Sequence, residues 1–158
     1  MGRRIENLGE APLVKIFIRI EPTDWHSYKT ESIWANPLPE GLFQVQNVPF
    51  YAFGVSHEDV VRVELDDNIL SFREVVRRGG HSTYRIFLLD GTTELQWKSY
   101  WQPLAEIGCT YEQGTVRLFA IDVPPDTNIY KAYALLDRGE KAGVWGFQEA
   151  HCGHHLTS

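Results

Sequence analysis

The apolar period of this chain changes once, near Asp90, and that change limits the fold more than any single motif. Before it, apolar and polar residues alternate in short runs. In "LVKIFIRI", residues 13–20, Val14, Ile16, Ile18 and Ile20 share one face, with Lys15 and Arg19 on the other. Successive strand side chains point to opposite faces, so this run predicts a half-buried β-strand. "ESIWANPLPEG" predicts a short strand closed by prolines, and "LFQVQNV" another that stops at Pro49. "DVVRVEL" and "ILSFREVV" flank the turn residues Asp66, Asp67 and Asn68 and predict a hairpin. Arg78, Gly79 and Gly80 make a second turn, from which "STYRIFLL" leaves as a strand.

After Asp90 the spacing turns helical. Thr92 or Thr93 caps a helix running to about Ile107, with Trp97, Trp101 and Leu104 on one side and Gly108 as the stop. Pro103 predicts a kink there or a late start. "TVRLFAIDVP" predicts a strand ended by Pro124 and Pro125. In "NIYKAYALLDRGE", Ile129, Ala132, Tyr133 and Leu136 recur at helical spacing, with Gly139 just past the end. "VWGFQEA" closes as a strand. The expected class is α+β: an N-terminal antiparallel sheet or small barrel packed with a ferredoxin-like β-α-β-α-β half. The expected divisions are a flexible N-terminus at 1–12, one domain at 13–150 with lobes 13–82 and 83–150, and a flexible tail at 151–158.

Fifteen basic against twenty-one acidic residues leave a formal charge of −6, which argues against a general nucleic-acid binder. Cys109 and Cys152 form no C-x-x-C pair and suit a reducing compartment. The N-terminal residues lack a signal-peptide core, no run approaches a membrane span, and Glu6 stands where a myristoylation motif wants Ser or Thr. A cytoplasmic protein is expected.

Five segments, "ESIWANPL", "FQVQNVPFYAFGVSHEDVV", "VVRRGGHSTYRIFL", "AIDVP" and "GVWGFQEA", together resemble the bacterial domain of unknown function DUF4265, from about Leu13 to Ala150. N-V-P-F-x-A-x-G-V-S followed by G-H-S-T-Y-R is the most specific part. The resemblance implies a family and no chemistry. The second half resembles, at the level of fold, ferredoxin-like ribonuclease E inhibitors and small immunity proteins.

Four stretches are candidate sites. In "RRGGHSTYRIF", Gly79 and Gly80 offer backbone N–H groups, and with Arg77, His81 and Arg85 they could hold an anion. A tight turn followed by a strand is the simpler reading. His81 and Ser82 point to opposite faces of that strand, so they make no nucleophilic pair, and no catalytic residue is assigned. In "SHEDVV", Glu58 and Asp59, with Asp66 and Asp67, could face a cationic partner, while one H-E-D cluster is weak as a metal site. The tail "HCGHHLTS" holds His151, Cys152, His154 and His155 but no second ligand pair, so no metal or cofactor is expected. Trp25, in a polar loop beside His26 and Tyr28, would be an interface anchor if exposed. No P-loop, G-x-G-x-x-G, H-E-x-x-H or G-x-S-x-G occurs. The expected function is protein binding, as an inhibitor or immunity factor covering a toxin or nuclease cleft, without membrane or direct nucleic-acid partners. The alternative is a binder of, or enzyme for, a phosphate- or carboxylate-bearing small molecule, using Gly79 to Arg85.

Overall fold

The computed structural model of the chain describes residues 12–23 and 26–157. Five strands, β1 (Val14–Arg19), β2 (Thr30–Pro37), β3 (Leu42–Val45), β4 (Val60–Asp66) and β5 (Ile69–Arg77), form a closed barrel in that order. Neighbouring strands run antiparallel, and the seam between β1 and β5 closes through a parallel pairing at Phe17 and Ser71. The alternation seen in the sequence fills the interior: Ile16, Ile18 and Ile20 meet Ile33 and Ala35 of β2, Val45 of β3 and Val61 of β4. Asp66 and Ile69 face each other across a two-residue turn in which Asp67 and Asn68 take φ of 50° and 67°. Both central residues are left-handed, which matches the twist of a hairpin and suits Asp and Asn.

The second half runs β6 (Ser82–Leu88), α1 (Glu94–Glu106), β7 (Thr110–Gln113), β8 (Leu118–Val123), α2 (Ile129–Lys141) and β9 (Trp145–His151). Its four strands form one antiparallel sheet in the order β7-β8-β6-β9. One face, with Tyr84, Ile86, Phe119, Ile121 and Val123, packs under Trp97, Trp101 and Leu104 of α1 and Ile129, Ala132 and Leu136 of α2. The opposite face, with Thr83 and Arg85, meets the loop that joins β3 to β4. The fold is therefore α+β: a five-stranded barrel beside a four-stranded sheet that carries two helices.

Three expectations change. The strand β7 was not expected, so the second half has six elements where five were read. Three of the four β7 residues are exposed at the sheet edge and present no apolar face to read. Helix α1 starts at its Thr93 cap, whose Oγ1 accepts from Gln96 N–H at 3.1 Å, and runs through Pro103 with no late start. Helix α2 passes Gly139, which was expected to end it, and finishes at Lys141, with Gly143 at φ 76° beyond. Gly139 is needed inside the helix because a Cβ there would stand 2.3 Å from the Trp145 ring.

Candidate functional site

The two most specific segments of the sequence pack against each other. The first is the loop 46–59 between β3 and β4; the second is the turn and strand from Arg78 to Arg85. Carboxylates from several elements hold the loop through its backbone. Glu31, on β2, falls in the inward register of Ile33 and Ala35. Its side chain accepts the N–H groups of Phe50, Tyr51 and Ala52 at 2.5, 2.9 and 2.8 Å. Glu112 of β7 accepts from Val48 N–H at 3.0 Å. Asp59 accepts from Ser56 N–H and Gly79 N–H, both at 2.9 Å, and pairs with Arg78 at 3.0 Å. Arg78 also donates to the Gly54 carbonyl at 2.7 Å, and the hydroxyls of Ser56 and Thr83 share a hydrogen bond of 2.6 Å.

This geometry answers the anion reading of "RRGGHSTYR". The Gly79 N–H and the Arg78 guanidinium do hold an anion, and it is the protein's own Asp59. Gly79 is required because a Cβ would lie 2.7 Å from the Glu58 carbonyl, and Gly80 turns the chain at φ 91°. The named residues do not converge on one pocket. Arg77 ends β5 opposite Val60, exposed. Arg85 lies further along β6, fully buried; it donates to the Ala52 carbonyl, and to Gln148 at 3.2 Å. Its guanidinium stands over the Phe53 ring at 5.1 Å, and burial pulls its pKa down to about 10.

His81, 7% exposed, sits between two carboxyls. Its Nδ1 is 2.8 and 3.0 Å from the Asp122 oxygens, and its Nε2 is 2.9 Å from Glu58 Oε1. A neutral ring can donate from only one nitrogen, so the contact to both requires an imidazolium or a proton on one carboxyl. Burial raises the Asp122 pKa, and the charge and hydrogen bond of His81 oppose that rise. The His57 ring stands edge-on to His81 at 4.9 Å, its buried Nδ1 without a hydrogen-bond partner among the described residues.

Ser82 does point away from His81, as the pleat requires. Its hydroxyl nevertheless lies 2.6 Å from Nδ1 of His154, a residue of the C-terminal segment. His154 Nε2 is 2.8 Å from the Pro124 carbonyl, which can only accept, so the ring proton is on Nε2 and Nδ1 accepts from Ser82. Ser82 also accepts from Gly153 N–H at 2.9 Å and is fully buried. A carbonyl orients this imidazole where a nucleophilic triad would use a carboxylate, and the hydroxyl is inaccessible. The arrangement fastens the C-terminal segment, expected as a frayed end, across the turn that follows β8. Thr157 is held in turn by Tyr130, at 2.7 and 2.9 Å.

The acidic set divides. Glu58 is exposed, Asp59 is buried and used internally, and Asp66 and Asp67 lie exposed at the far end of β4. Asp59 therefore takes no place in a surface patch: it is fully buried and its oxygens accept from Ser56, Gly79 and Arg78. Trp25 lies outside the described residues. Among the described residues no group of three or more His, Cys, Asp or Glu side chains is placed to hold a metal ion. No helix of the described residues is long and apolar enough to cross a membrane.

Sequence reasoning missed Glu31 and Glu112, and it named His154 in the tail cluster without its pairing to Ser82. Glu31 alone carried a signal, a carboxylate in register with Ile33 and Ala35. The other two act across long sequence separations that no local pattern reports.

The fold has a close likeness among solved structures. A crystal structure of a hypothetical protein from Neisseria gonorrhoeae superposes with a TM-score of 0.78 at 20% identity, covering 92% of this chain and 99% of that one. The likeness shows a shared fold. No curated protein matches the chain. The model of a domain of unknown function, DUF4265, matches residues 31–147, which takes in Glu31, the whole carboxylate-held loop and β6 through Phe147 of β9. The chain belongs to the DUF4265 family.

Proposed function

We propose that the chain is a cytoplasmic protein-binding module, an inhibitor or immunity-type protein that covers a basic cleft of a toxin or nuclease. One observation carries the reading: the exposed tip of the β4–β5 hairpin. Leu65 and Ile69 are 66% and 45% exposed there, on either side of Asp66 and Asp67. Lower on the same hairpin, Arg62 pairs with Glu74 and Arg73 with Glu64, so those charges are neutralised locally. The tip is left apolar and anionic, a pairing that suits a cationic partner surface: the charges speed encounter and the side chains bury area. The motif residues support the same view from the other side, since Asp59, His81 and Ser82 are occupied by one another's neighbours. The strand order β7-β8-β6-β9, with both helices on one face, supports reading the second half as ferredoxin-like, an architecture that inhibitors share by analogy alone.

The test is co-expression with the products of neighbouring genes. The wild-type chain should retain one of them at fixed stoichiometry and relieve its toxicity. Asp66→Lys combined with Asp67→Asn reverses the tip while keeping a turn-compatible residue, and should weaken the complex by at least about tenfold without changing the melting temperature. Failure of any neighbour to be retained, or equal binding by the variant, removes this reading.

A further inference from the structure

A groove of about 440 Å³ runs between α2, the edge strand β9 and the C-terminal segment, and shares no residue with the hairpin tip. Tyr84, Tyr130 and Tyr133 line it together with Leu156, and two carboxylates, Asp137 and Glu149, stand on its wall. From these features we infer that the groove is a binding site for a small organic cation, an ammonium group carried on an aromatic or aliphatic body. This inference is independent of the partner-binding reading.

The argument begins with register. Tyr84 of β6 pairs directly with Glu149 of β9, so both side chains rise on the helix face, and the Tyr84 hydroxyl donates to Glu149 Oε1 at 2.7 Å. Burial and that carboxylate push the Tyr84 phenol far above its ordinary pKa, so it remains a neutral donor and fixes the carboxylate in place. Glu149 itself is exposed, and among the described residues no cationic side chain forms an ion pair with it. Among the described residues Asp137 pairs with Lys141 alone, one turn along α2, at 2.7 Å. Such an exposed pair is weak and exchanges readily for a better-placed cation.

The walls are aromatic. The Tyr133 ring meets Tyr84 at 6.3 Å and Phe147 at 5.3 Å, both edge to face, and Tyr133 and Tyr130 keep about half their surface open. Aromatic faces carry negative potential and attract cations, and they also cover an apolar body. The volume lies within the range of small-molecule sites. A carboxylate that lacks a cation, fixed beside aromatic walls, selects a positive ligand and repels an anionic one. Leu156, whose neighbour Thr157 is held by Tyr130, bounds the groove from the C-terminal side.

Calorimetric titration of the full chain with tyramine, with 4-ethylphenol as its uncharged counterpart, tests the assignment. Tyramine should bind the wild-type chain about tenfold more tightly than 4-ethylphenol. Glu149→Gln keeps an oxygen for the Tyr84 hydroxyl; it should abolish that preference and leave 4-ethylphenol binding unchanged. Tyr133→Leu keeps the apolar volume without the ring and should weaken tyramine several-fold. The inference is overturned if neither compound binds at millimolar concentration, if both bind the wild type equally, or if Glu149→Gln leaves tyramine affinity intact. Hairpin-tip variants should leave every one of these titrations unaltered.

Discussion

Glu31 and Arg85 grip the two polar groups of one residue, Ala52: Glu31 Oε1 accepts its N–H at 2.8 Å, and Arg85 donates to its carbonyl. One comes from the barrel, the other from the sheet, and both are buried, at 8% and 0% exposure. The Glu31 charge favours the charged form of Arg85, so removing one withdraws a nearby opposite charge from the other.

A double-mutant cycle measures that dependence. Arg85→Met should cost about 3–5 kcal/mol, since it withdraws the cation whose charge Glu31 feels and leaves the buried Ala52 carbonyl without its donor. Glu31→Gln should cost about 2–3 kcal/mol, because a neutral amide oxygen serves three N–H groups poorly. The double variant should lose less than the sum, with a coupling of about 1–3 kcal/mol. Urea midpoints at constant slope give the values; strict additivity would show that the two charges act separately.

His151 sets a pH dependence. Burial and the Arg78 guanidinium hold its pKa below the ordinary 6.5, and its buried Nε2 has no hydrogen-bond partner among the described residues. The folded chain thus favours the neutral ring. This contribution to stability is full above pH 6.5 and is lost as pH falls from there through the lowered folded value. Asp122 and Glu112 are raised by burial and run the other way: their contribution is present in acid and is lost as pH rises through their folded values. His151→Gln removes only the first effect. Subtracting its stability profile from the wild-type profile should show the variant gaining on the wild type below pH 6.5, and a flat difference would contradict the assignment.

Gly139→Ala should destabilise the chain. In an exposed helix the same change stabilises by about 1 kcal/mol. Here the new Cβ would stand 2.3 to 2.6 Å from three atoms of the Trp145 indole, whose Nε1 donates to the Leu136 carbonyl at 2.9 Å. Overpacking of this kind costs about 1–3 kcal/mol, so the sign reverses. Thermal melting gives the loss.

Ser82 should not react with a fluorophosphonate in the native chain, despite the imidazole 2.6 Å away, because the hydroxyl is fully buried. Ser82→Ala should instead cost about 1–2 kcal/mol, leaving Gly153 N–H and His154 Nδ1 without their partner. A stoichiometric adduct on native protein, seen by intact mass, would falsify the structural role.

Much of the barrel was legible because its strands are half-buried, and alternation reports that condition directly. The Asp67–Asn68 turn was equally open to reading, since few residues adopt two successive left-handed conformations. Helix α2 was found by its apolar spacing, but its end was not. Gly139 looks like a terminator in sequence, and only the Trp145 ring, brought back by β9, reveals it as a packing position. Strand β7 left no trace, because an edge strand with exposed side chains has no apolar face to display. At the site, the turn at Gly79 and the divergence of His81 from Ser82 followed from local geometry. The partners of Asp59, Ser82 and Ala52 did not, since 20, 72 and 33 residues separate Gly79, His154 and Arg85 from them.

The polar clasp around Ala52 has a consequence for how relatives can be recombined. Its anion, its peptide and its cation are encoded in three distant stretches, so a graft that exchanges only one of them between homologues should strand an unmatched charge at the seam. Viable chimeras should therefore inherit all three stretches from the same parent, even where the crossover point falls in a permissive surface turn.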